Sequence, residues 1–151
     1  GESIRNLLIM REPLHAVASM LNMLTTDSHI KELPKEELRQ AFDNRGQEML
    51  ELWAMMARAY KDREDVRVVR YEDVKVNPKL AYVRDVFPYL GVNATNPAVM
   101  ARFGRAIERC DKAFNTSRRK HTYAFEFTAG DKELARRTVG ASLAAYYGYQ
   151  L

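Results

Sequence analysis

The stretch "NLLIMREPLHAVASML", residues 6–21, decides how this chain is read. Residues 4–10, "IRNLLIM", are mostly aliphatic and stop abruptly at Arg11-Glu12-Pro13. Such a short apolar run, closed by a charged turn, fits a strand buried on both faces of a parallel sheet. Pro13 suits the first turn of a helix, where its missing N–H goes unused. Val17, Met20, Leu21 and Leu24 then repeat at helical spacing, with Ser19 among them. Ligands of open parallel sheets sit at the carboxyl ends of strands, where helix N-termini also point. Arg11 stands at that end, and a guanidinium grips a phosphate through two parallel hydrogen bonds. Ser19 follows about two helical turns on, and helical side chains lean back towards the N-terminus. Arg11, Ser19 and the helix dipole can thus converge on one anion. The alternative pairs Arg11 with Glu12 or another acid and bonds the Ser19 hydroxyl back to the His15 carbonyl.

Outward from that stretch, "TTDSHIKELP" at 25–34 reads as a loop. Residues 35–61 form a long helical pattern through Leu38, Phe42, Met49, Trp53, Met56 and Tyr60, with Gly46 its weak point. "VRVVRYED" at 66–73 is the second strand, rich in β-branched residues. Asn77 and Pro78 start another helix, Pro88 bends or ends it near its last turn, and Gly91 stops it. A helix runs from Asn96-Pro97 towards Asp111, residues 115–130 are irregular, and a final helix spans 131–147 before Gly148. The order β-α-α-β-α-α-α predicts an α/β fold, helix-rich, with a partial parallel sheet flanked by helices. Two strands make a marginal sheet, so more are expected from upstream residues or from a partner chain.

The 151 residues, 46% hydrophobic and 29% charged, suit one globular domain. No apolar run is long enough to span a bilayer. The net charge of +4 suits an anionic ligand and is too mild and scattered for nucleic acid. Cys110 is the single cysteine, which excludes an internal disulfide and leans towards a reducing, intracellular compartment. His15, His29, His121 and Cys110 lack metal-ligand spacing, so no metal is assigned. Trp53, Met55 and Met56 read as core on the long helix. Glu72 and Asp73 are expected to organise the turn into the following helix.

"LLIMREPLHAVASML", followed later by "VRVVRYEDVKVNPKLAYVRDVFPYLGV", resembles the sulfotransferase family. The family pattern is a strand, Arg-Asp-Pro and a helix bearing a serine, matched at Arg11, Pro13 and Ser19 with Glu12 a conservative change. Its second block is matched at Tyr71, Glu72, Asp73, Asn77, Pro78, Leu90 and Gly91, and the close "LAAYYGYQL" looks like the family's last helix. The resemblance implies transfer of sulfonate from 3′-phosphoadenosine 5′-phosphosulfate (PAPS) to a hydroxyl or amine of an unknown acceptor. It implies that Arg11 and Ser19 bind the 3′-phosphate and that Tyr71 contacts the adenine. "SRRKH" could add a basic grip through Arg118, Arg119 or Lys120, against the alternative of a solvated charge run.

The chain departs from the family as well. Leu14 and His15 replace the usual Arg-Asp, and His121 follows the lysine where the family has glycine. No glycine-rich phosphate loop with its lysine is present, and the family's usual base lies upstream of the arginine motif. The chain therefore resembles the C-terminal half of a sulfotransferase, a single and incomplete domain not expected to catalyse transfer alone. Two classes of function follow. One is the nucleotide-holding part of a sulfotransferase. The other is a sulfotransferase-derived, non-catalytic subunit of a larger protein assembly. A P-loop kinase relative shares the architecture and lacks the Tyr-Glu-Asp block.

Overall fold

A computed structural model describes residues 4–26, 33–116 and 125–151, with the side chains of 111–116 left aside. The chain is α/β at the level of class: a small two-stranded parallel sheet within a helix-rich molecule. Strand β1 (Asn6–Met10) pairs with β2 (Val66–Arg70) in parallel, with Asn6 opposite Val66 and Met10 opposite Arg70. The helices are α1 (Pro13–Thr26), α2 (Lys35–Tyr60), α3 (Tyr71–Val76), α4 (Pro78–Ala81), α5 (Phe87–Leu90), α6 (Pro97–Thr116), α7 (Ala129–Val139) and α8 (Ala141–Tyr146). The chain divides into two compact units, Gly1–Met10 with Asp62–Lys120 and Arg11–Lys61 with His121–Leu151.

The first unit holds both strands. Its core joins Val69 to Val86 and Phe87, with Val74, Tyr82 and Phe103 packed around them. Residues 71–73 differ from the sequence reading: they open α3 rather than extending β2. Glu72 and Asp73 lie in the first turn of that helix, where negative charge meets the positive end of the dipole. The cap expected at Asn77 is present, its side-chain oxygen accepting the Leu80 N–H at 3.0 Å. Asp73 instead receives the Arg84 guanidinium at 3.1 Å. Tyr82–Val86 form a π-helical turn between α4 and α5. Pro88 has no N–H to donate back to the preceding turn, and the Phe87 N–H reaches the Tyr82 carbonyl, one residue further than an α-helix allows. Gly91, at φ +72°, ends α5 in the left-handed region as its sequence position predicts.

The second unit packs α1, α2, α7 and α8 on one another. Buried Leu14, Val17, Ala18 and Leu21 give α1 its apolar stripe, while Leu24 of the expected stripe is exposed. On α2, buried Leu38, Phe42, Met49, Leu50, Trp53 and Ala57 face inward. Met55 and Met56 are exposed, correcting their reading as core: Met55 lies on the far side of the helix from Trp53, and Met56, one turn on from Trp53, stands at the margin of the buried stripe. Gly46 has a packing reason: a Cβ there would stand 2.9 Å from the Phe42 ring, which lies fully buried over it. The single final helix expected over 131–147 is two helices, broken at Gly140, whose φ of +87° no other residue type adopts cheaply.

Candidate functional site

Arg11 follows β1 directly and is half-buried. The indole N–H of Trp53, on α2, donates to its carbonyl oxygen at 3.1 Å, which fixes the backbone where the strand turns into α1. Trp53 is itself buried, with Tyr147 and Tyr149 edge-on to its ring at 6.0 and 6.4 Å. Sequence reasoning saw in Trp53 a core residue only, because a hydrogen bond across that much chain leaves no local signature.

Glu12 is the next residue, and it caps α1. Its carbonyl accepts the Ala16 N–H at 2.8 Å, and its carboxylate accepts the His15 N–H at 2.8 Å. The His15 ring Nδ1 meets the same oxygen at 2.6 Å. Burial alone would raise the Glu12 pKa. The hydrogen bonds and charge of His15, with the Leu14 N–H, outweigh it and hold the carboxyl below its ordinary 4.5. The positive end of α1 is therefore met by the chain's own carboxylate, where the sequence reading left it to an anion. An incoming anion has to displace Glu12 to reach those N–H groups.

Ser19 sits one turn beyond His15 on the same row of α1, half-buried at the margin of the apolar stripe. Among the described residues no hydrogen bond engages its hydroxyl, so the back-bond to the His15 carbonyl is not made. Arg11 and Ser19 share the second unit, and Tyr71 belongs to the first. Arg118, Arg119 and Lys120 lie outside the described residues.

Tyr71 opens α3 directly after Arg70, the last residue of β2. Arg70 is half-buried and stands in register with Met10, at the carboxyl end of β2. Arg70 was missed in the sequence, where "VVRY" reads as ordinary strand; an arginine closing a β-branched run before a helix was the available signal. Tyr71 also lines an open groove of about 570 Å³ along α3 and α6.

No family model, curated protein or solved structure matches the chain. Among the described residues, no helix is long and apolar enough to cross a membrane, and no cluster of three or more metal-ligating side chains is present.

Proposed function

We propose that this chain is a sulfotransferase-like nucleotide-binding segment in which Arg11 and Ser19 hold the 3′-phosphate of PAPS and Tyr71 contacts its adenine. The observation that carries this reading is the junction of β1 and α1. A parallel strand ends at an arginine whose backbone is pinned by Trp53, and the helix behind it presents a serine hydroxyl with no hydrogen bond among the described residues. A guanidinium and a hydroxyl suit a phosphate dianion. PAPS supplies an activated sulfonate when bound, for a hydroxyl or amine acceptor. The residues named here position the nucleotide and take no part in the transfer, and no glycine-rich loop accompanies them in the sequence.

The test is calorimetric titration with adenosine 3′,5′-bisphosphate, the desulfonated nucleotide. Binding is expected, and Arg11→Ala should weaken it by about 1.5–3 kcal/mol, with Ser19→Ala costing about 0.5–1.5 kcal/mol. No binding by the folded chain, or binding indifferent to Arg11→Ala, removes the reading.

A second reading, a non-catalytic subunit of an assembly, draws on β1. Leu7 and Ile9 are exposed there, at 41% and 56%, and Ile4, just before the strand, at 80%. Strands of parallel sheets are ordinarily covered on both faces, and the simplest cover is a second copy of the chain. Sedimentation velocity over a range of concentrations should then show association that Ile9→Lys abolishes. A monomer throughout counts against it.

A further inference from the structure

The groove along α3 and α6 has a chemistry of its own. Its wall is apolar and aromatic, from Val74, Tyr82, Phe103 and Ile107 besides Tyr71, and Lys75 is the one charged side chain on it. The volume of about 570 Å³ lies in the range of small-molecule sites, which combine apolar walls with a few polar groups. Two further observations point to a ligand. Lys75 makes no ion pair among the described residues, so the cation at the wall lacks a protein counter-charge. Tyr82 opens the π-helical turn, a distortion that recurs at functional sites.

We infer that this groove binds a flat aromatic molecule carrying one anionic substituent, held against the packed rings of Tyr82 and Phe103 with the anion at Lys75. The inference goes beyond the nucleotide reading and stands without it, since the groove is formed wholly by the first unit. Besides the tyrosine hydroxyls, the ammonium and the Cys110 thiol, the lining offers aliphatic and aromatic carbon. A nucleobase with its polar edge would leave hydrogen bonds unmade there, and a less polar ring system would not.

The probe is 8-anilinonaphthalene-1-sulfonate, an aromatic ring system with one sulfonate, followed by its fluorescence. Saturable one-to-one binding is expected. Lys75→Glu, a change at an exposed position, should weaken it about threefold or more, and Ile107→Glu about tenfold or more. Ile9→Lys, on the other exposed apolar patch, should leave it unchanged. Saturating probe should also slow alkylation of exposed Cys110, which borders the groove. Circular dichroism confirms that each variant is folded. Non-stoichiometric binding, or indifference to both Lys75→Glu and Ile107→Glu, overturns the inference. Failure of the nucleotide alone to bind, with the probe still bound, removes the nucleotide reading and leaves this one standing.

Discussion

Replacing Asp131 with alanine is expected to lower the unfolding free energy by about 2–4 kcal/mol, read as a shifted urea midpoint at unchanged slope. The carboxylate holds two structures at once. It receives the Arg39 guanidinium in two parallel hydrogen bonds, 2.7 and 2.9 Å long, which tie α2 to α7. It also closes the capping box of α7, accepting the Thr128 N–H at 2.8 Å while the Thr128 hydroxyl accepts the Asp131 N–H at 3.2 Å. Arg39 lies over the Phe42 and Phe125 rings at 5.0 and 4.8 Å, so its removal would loosen aromatic packing too. The Asp131 side chain is 9% exposed and that of Arg39 28%, and water at the arginine keeps the cost below that of a fully buried pair. The acid limb adds a signature. Burial alone would raise the Asp131 pKa, but the hydrogen bonds from Arg39 and Thr128 and the arginine's charge hold it below its ordinary 3.8. A carboxyl lowered on folding stabilises fully above its unfolded value, and that stability fades as pH falls through the folded one. The difference between wild type and Asp131→Ala should therefore be constant near neutrality and narrow below about pH 3.8. A shift under about half a kcal/mol would show that neither contact matters.

Trp53→Ala should cost still more, about 3–5 kcal/mol, the usual range for emptying a buried aromatic site. Trp53→Phe separates packing from hydrogen bonding. It keeps most of the buried ring and deletes the donor to the Arg11 carbonyl, at about 1–3 kcal/mol if that oxygen is left unpaired. As the sole tryptophan, Trp53 is also the natural fluorophore for anything that binds at Arg11. Adenosine 3′,5′-bisphosphate should shift its emission, and Arg11→Ala should remove the shift. Full stability in Trp53→Phe would mean that the indole N–H contributes nothing to holding the strand end.

Local signals carried well from sequence to structure. Pro13 at the first turn of α1, the β-branched residues of β2, Asn77 as a cap and Gly91 as a stop all act where their chemistry places them. The aliphatic run does form β1, but with Leu7 and Ile9 exposed it is covered on one face and not on both as its composition predicts. The failures have physical causes. Tyr71–Asp73 continue an extended-looking pattern, yet two carboxylates in a first turn favour a helix. Pro88 perturbs the residues before it rather than its own position. Gly140 interrupts an apolar periodicity that reads straight through it. Of the candidate site, Arg11, Ser19 and Tyr71 were legible from order and resemblance. The Glu12 cap was missed because glutamate is not among the usual cap residues. The bonds from Trp53 to Arg11 and from Arg39 to Asp131 join residues far apart in the chain, which no periodicity encodes.

The two compact units are each assembled from separate lengths of chain, with the boundary crossed after Met10, Lys61 and Lys120. On a ribosome, β1 would wait for β2 across all of α1 and α2, and Arg39 would wait for Asp131, 92 residues further on. Folding is thus governed by closure of long loops, whose entropy must be met before native contacts repay it. During that interval the aliphatic strand and the part of α2 that meets α7 stay uncovered, which makes the nascent chain a natural client for chaperones. The same interleaving means that neither unit can be expressed alone by cutting the gene once.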